Sequence, residues 1–163
     1  MQRTFFILAA WLSLPIAAPA GEPQDRAPLA PEVLRELETK WKAAVKVDSD
    51  VPDSPVVELS FSNCHAPEVT DDVLARLKVF PRLRKLTINS EAVSDEGLRR
   101  LRELPELRTL TLIRVPVTAD GAGTLKGLSR LQKLTLFRVE ISRTALKELR
   151  EALPRTTVEW RER

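Results

Sequence analysis

The chain repeats itself every 24 residues. Leu83, Leu107 and Leu131 stand at that interval, as do Leu86, Leu110 and Leu134, then Ile88, Leu112 and Leu136, and then Val93, Val117 and Ile141. A period between about 20 and 29 residues with an L-x-x-L-x-L core marks a stacked solenoid that spends one short strand per repeat. A single unit cannot bury its own apolar face, so successive units share one continuous core. Such a body offers an extended surface rather than an enclosed pocket. The expected role is recognition.

Each unit opens with alternation. Val57 to Phe61, Lys85 to Ile88, Thr109 to Leu112 and Lys133 to Leu136 read as half-buried strands, with one face in the core and one in solvent. Each unit then carries a helix with a recurring start. Thr70, Ser94, Thr118 and Ser142 fall at N-cap positions. Asp71, Asp72, Asp95, Glu96 and Asp120 occupy the first turns, where the helix dipole favours negative charge. Val69, Val93, Val117 and Ile141 before the caps match Leu74, Leu98, Ala122 and Leu146 after them, the spacing of a hydrophobic staple. Pro81, Pro105 and Pro154 stop the helices. The units run Val56 to Arg82, Leu83 to Glu106, Leu107 to Arg130 and Leu131 to about Arg155, and Thr157 to Trp160 is a closing strand. Agreement among cap, staple, stripe and stop specifies one architecture.

The strings Val93-Ser94-Asp95-Glu96-Gly97-Leu98 and Leu101 through Leu104-Pro105-Glu106-Leu107, continuing into Leu110-Thr111-Leu112, resemble a leucine-rich repeat of the ribonuclease-inhibitor-like and cysteine-containing classes, as in small exported bacterial repeat proteins. The resemblance spans roughly residues 56 to 160. It implies an α/β fold, a short right-handed β/α horseshoe arc with a parallel sheet on the concave face and helices on the convex face. It also implies protein binding and no shared catalytic residue. The family often places Asn or Cys three positions after the last strand leucine. Here Cys64, Glu91, Val115 and Val139 stand there, so only the first matches. Leu128-Ser129 replaces Leu-Pro at one helix end.

The segments before the repeats read differently. Arg3 followed by the uncharged apolar run Phe5 to Ala18, with Ala18-Pro19-Ala20 as a small-x-small site, reads as a signal peptide over 1–20. The apolar run is shorter than the roughly 20 residues a membrane-spanning helix needs. Residues 21–30 hold Pro23 and Pro28 among polar residues and read as a linker. In 31–55, Pro31 and the spacing of Val33, Leu34, Leu37, Trp41 and Ala44 or Val45 predict a capping helix followed by a turn. The repeats and closing strand fill 56–163. Export to the periplasm or the medium follows from the leader, and no transmembrane segment is expected in the mature chain.

Composition narrows the partner. Without Arg3, 25 basic residues face 23 acidic ones and Tyr is absent, a poor match to a nucleic-acid-binding face. Cys64 is the one cysteine, so it is either buried or paired between chains. Cys64-His65 lacks the further groups that a nucleophilic or zinc site requires. Gly121 and Gly123 each lower helix stability by about 1 kcal/mol relative to Ala and do not form a phosphate loop. The Arg99, Arg100 and Arg102 stretch reads as a solvated face, balanced by Glu96 and Glu103. No cofactor, metal or enzymatic activity is expected.

The outward strand positions form columns. The central one is Ser60, Thr87, Thr111, Thr135 and Glu159, a hydroxyl series explained by β-propensity. Beside it run Ser62, Asn89, Ile113, Phe137 and Arg161, then Asn63, Ser90, Arg114, Arg138 and Glu162. On the other side stand Glu58, Lys85, Thr109 and Lys133. Apolar residues beside Arg are the composition of a binding hot spot, so Ser62, Asn89, Ile113, Phe137, Arg114 and Arg138 are the candidate partner-binding residues. Phe137 covering the sheet edge is the structural alternative. Arg114 and Arg138 on neighbouring strands, about 5 Å apart, call for a carboxylate or other anion between them. Glu162 is placed to neutralise Arg138. The expected function is non-enzymatic binding of a partner protein, with an anionic polymer or a purely structural role as alternatives.

Overall fold

The computed structural model describes residues 29–48, 50, 55–62 and 68–162. The leader, most of the linker, and Asn63, Cys64 and His65 lie outside the described residues. Strands β1 (Ala44–Val47), β2 (Val56–Phe61), β3 (Lys85–Asn89), β4 (Thr109–Ile113), β5 (Lys133–Phe137) and β6 (Thr157–Arg161) form one sheet in sequence order. β1 is antiparallel to β2, and every later pair is parallel. Helices α1 (Leu29–Thr39), α2 (Asp71–Arg76), α3 (Asp95–Arg100), α4 (Ala119–Lys126) and α5 (Arg143–Ala152) complete an α/β fold of repeating strand–helix units.

Register follows the repeat. Leu59, Leu86, Leu110, Leu134 and Val158 align across five strands, as do Phe61, Ile88, Leu112, Leu136 and Trp160. The strand residues of these rows up to Leu134 and Leu136 are buried, and Val158 and Trp160 on β6 are half-buried. The staple residues Val69, Val93 and Val117 join the same core with Leu74, Leu98, Ala122 and Leu146. α2 and α3 each tighten into a 3-10 turn, Leu77–Val79 and Leu101–Glu103, before their prolines. Between units, the Arg84 carbonyl accepts from the amides of Arg108 and Thr109, and the Arg108 carbonyl accepts from those of Gln132 and Lys133.

One element of the repeat acquires its reason only in three dimensions. The Asp71 carboxylate accepts from the Ser94 amide at 2.8 Å and from its hydroxyl. Asp95 does the same for Thr118. Each carboxylate therefore crosses to the next helix and satisfies a donor there. It passes through the space where a side chain on Gly97 or Gly121 would sit. A Cβ at Gly97 would lie 2.1 Å from Asp71 Oδ1, and one at Gly121 2.0 Å from Asp95 Oδ1. In the third unit Ala119 replaces the aspartate, and in the fourth Ala145 replaces the glycine that would face it. In the first unit, where no aspartate reaches across, Val73 stands at the glycine position and is buried. The Asp and the Gly are two halves of one contact.

The structure departs from the sequence reading at the N-terminal end. Helix α1 begins at Leu29, inside the expected linker, and ends at Thr39, so Ala44 and Val45 belong to β1 and not to a helix. Trp41 is buried beyond the helix end, with Lys40 Nζ 4.5 Å from its ring. β1 is short, bulged between Lys46 and Val47, and exposed along its length apart from a half-buried Val45. Thr70 occupies its cap position without a side-chain cap bond, whereas Ser94, Thr118 and Ser142 accept from Glu96, Asp120 and Ala145 amides.

Candidate functional site

The face of the sheet turned away from the helices carries the candidate residues. Asn89, Ile113, Phe137 and Arg161 align directly across β3 to β6. Ile113 and Phe137 are half-buried, so each keeps part of its apolar surface open to solvent while leaning on its neighbours. Ser62 is exposed at the other end of this row, and Asn89 donates to its carbonyl at 3.4 Å. The central column is half-buried throughout, from Ser60 to Glu159. On the far side the charges are paired. Lys85 Nζ lies 2.6 Å from Glu58, and Lys133 Nζ lies 2.9 Å from Glu159. The Lys133 hydrogen bond holds the Glu159 carboxyl below the usual glutamate range.

The two arginines end their strands in the same strained way. Arg114 has φ 58° and Arg138 φ 52°, the left-handed region that favours glycine. Their amides still bond across the sheet, Arg114 to the Phe137 carbonyl and Arg138 to the Arg161 carbonyl. Beyond the backbone their situations differ. Arg114 is drawn toward β3, with Nε 2.9 Å from Asn89 Oδ1 and a terminal nitrogen 3.2 Å from Glu91. Arg138 is exposed and lies over the Phe137 ring, its guanidinium carbon 5.5 Å from the ring centroid. Among the described residues it makes no ion pair. The expected Arg138–Glu162 neutralisation is therefore not made.

The two arginines do come together at one place. Both line a depression of about 430 Å³ with Glu91, Val115, Pro116 and Glu140. Its lining carries two carboxylates and two guanidiniums, so its formal charge is balanced. Ser90 also leaves the column in which its number places it. It is buried, donates its hydroxyl to the Val69 carbonyl at 2.7 Å, and accepts from the Ala92 amide. In the next two units the inward role passes one residue later, to Val115 and Val139.

The sequence reading placed Arg138 beside Phe137 but did not foresee that its guanidinium would lie over the ring. It also missed Trp160, whose Nε1 donates to the Val139 carbonyl at 3.2 Å and ties β6 to the turn after β5. Among the described residues no three His, Cys, Asp or Glu side chains gather where a metal could sit, and no helix is long and apolar enough to cross a membrane. No family model and no curated protein matches the chain.

Proposed function

We propose that the chain is an exported leucine-rich-repeat arc that binds a partner protein through the concave face of its sheet, with Phe137 and Arg138 at the centre of the contact. One observation carries the reading. Arg138 occupies a backbone conformation that costs a non-glycine residue about 1–2 kcal/mol, yet its side chain takes no acidic partner and lies exposed against an aromatic ring. The turn itself serves the fold, bonding the Arg138 amide to the Arg161 carbonyl and carrying Val139 into the core, but it leaves the guanidinium exposed beside Phe137, and an arginine next to an open aromatic is the make-up of a binding hot spot. Arg114 does not carry the argument equally, because Asn89 and Glu91 account for it. Ile113 continues the apolar surface of Phe137 in register, and Asn89 and Ser62 supply a polar rim. The mechanism is complementarity on a preformed ladder, with recognition in place of reaction.

The test is photo-crosslinking in the native envelope from position 137, with a control at Arg99 on the helix side. A discrete protein adduct at 137 alone, surviving high salt and lost in Arg138→Gly, supports the reading. Arg138→Gly suits the purpose because glycine is at ease at that φ, so the fold gains while the guanidinium is removed. Adducts that vanish with salt at both positions point to an anionic polymer and refute it.

A further inference from the structure

The helices meet one another through a fixed set of forward-facing residues. Asp71 and Leu74 of α2 lie against Gly97, and Asp95 and Leu98 of α3 lie against Gly121. Arg102 reaches Gly127, and Lys126 of α4 pairs with Glu148 of α5 at 2.7 Å. Carried forward by the repeat interval, the corresponding residues of α5 are Arg143, Leu146 and Arg150. Among the described residues nothing stacks ahead of them. They line a depression of about 550 Å³ with Lys147, Glu151 and Trp160.

β6 is open on the same side. The Thr157 amide bonds to the Gln132 carbonyl, and the Arg161 carbonyl accepts from Arg138, so both residues turn their backbone groups toward β5. Successive residues of an extended strand turn these groups to alternate sides, so Val158 and Trp160 turn theirs to the free edge. Val158 and Trp160 are also half-buried on the core side, where the preceding strands are sealed.

Charge decides what could cover this end. Where the inner units present Asp71 or Asp95, the last presents Arg143. Among the described residues Arg143 and Arg150 make no ion pair, and Arg150 has only a long bond, 3.4 Å, to the outward Val158 carbonyl. Lys147 is matched by Glu151 at 3.8 Å. A second copy joined edge to edge about a two-fold axis would set these basic residues against themselves. A second copy joined by its β1 meets a short strand with a bulge and an exposed Lys46, features that resist strand addition.

We infer that the β6 edge and the basic face of α5 form a second docking site, which takes an extended acidic segment of a partner protein as a seventh strand. Its amides and carbonyls pair with Val158 and Trp160. Its apolar side chains cover Val158 and Trp160, and its carboxylates meet Arg143 and Arg150. The site lies at the end of the sheet and does not depend on the reading of Phe137 and Arg138.

The probe is a short labelled peptide with valine and glutamate alternating on one face and threonine on the other, titrated into the full chain by fluorescence anisotropy. A control peptide carries lysine for glutamate. The acidic peptide should bind about tenfold or more tightly than the control and should slow amide exchange at Val158 and Trp160. Val158→Pro removes an outward amide without touching the bonds to β5 and should abolish binding. Arg143→Glu with Arg150→Glu should do so without altering the fold, and Phe137→Ala should leave binding unchanged. Equal binding of the two peptides, no binding, or indifference to Val158→Pro overturns the proposal. So does protection of the same amides by self-association without peptide, which would make this edge an interface between copies.

Discussion

Replacing Gly121 by Ala should destabilise this protein, although the same change in most helix interiors stabilises by about 1 kcal/mol. The new Cβ would stand 2.0 Å from Asp95 Oδ1 and 3.0 Å from its Cγ, so the carboxylate must leave. Leaving forfeits its bonds to the Thr118 amide and hydroxyl. Hydrogen bonds to a charged acceptor are worth about 1.5–3 kcal/mol each when sheltered. Asp95 is half-exposed and the amide bond is long at 3.4 Å, so the pair together is set at about 2–3 kcal/mol. After the helix-propensity gain, Gly121→Ala should cost about 1–2 kcal/mol.

Asp95→Ala alone should cost about 2 kcal/mol. In that background the obstruction is gone, and adding Gly121→Ala should recover most of about 1 kcal/mol, less what Leu98 Cδ1 at 3.3 Å takes back. The sign of one substitution thus reverses with the presence of the other, a coupling of about 2 kcal/mol. Urea unfolding at neutral pH measures all four species, with a constant m-value as the check that only stability changes. Gly123 is the internal control. It lies two residues away in the same helix, and a methyl there would meet nothing within 4 Å, so Gly123→Ala should stabilise by up to about 1 kcal/mol. A neutral Gly121→Ala, or effects that simply add, would refute the account.

Other outcomes follow from the same contacts. Ser142→Ala should cost about 1 kcal/mol as a lost cap, while Thr70→Ala should cost distinctly less, because its hydroxyl caps nothing; thermal unfolding of the pair checks the difference. Leu110→Ala, at a fully buried position in the middle of the sheet, should cost about 2–5 kcal/mol by denaturant titration. The carboxyls of Glu159 and Glu148 are held low, first by hydrogen bonds from Lys133 and Lys126. A lowered folded-state pKa gives stability that is present above the unfolded value and lost as pH falls through the folded one, so these pairs should contribute nothing to pH dependence near neutrality and fade only in acid. Carboxyl NMR titration of Lys133→Met should show Glu159 moving up toward the ordinary range.

The periodic part of the fold was legible because each unit restates the same physics. Leu86, Leu110 and Leu134 stand at one interval, and stacking them in register is the only way to bury all three. β1 was not legible for the converse reason. It occurs once, spans four residues, and follows Val33, Leu37 and Trp41, whose spacing continues a helix past the point where it ends. Ser90 was misplaced because counting by 24 assumes an identical backbone in every unit. The chain leaves β3 by one route and β4 by another, with Arg114 in the left-handed region, so the inward position moves from the second residue after Ile88 to the third after Leu112. A small hydroxyl residue can be buried at that point because the Val69 carbonyl and the Ala92 amide satisfy it.

Where the repeat is broken is therefore as informative as where it holds, provided each break is tested against its structural neighbour. Val73 breaks the glycine column because no aspartate precedes it. Ala119 and Ala145 break the Asp and Gly columns together, and each excuses the other. Arg114 breaks the turn and is accounted for by Asn89 and Glu91. Arg138 and Arg143 are different. One accepts backbone strain and the other reverses the charge that earlier units place at the same point, and neither makes an ion pair among the described residues. Both lie on surfaces that the described residues leave uncovered, one on the sheet face and one at its end. That common property underlies both proposed docking sites and makes their variants separable: Arg138→Gly should alter only the first, and Arg143→Glu only the second.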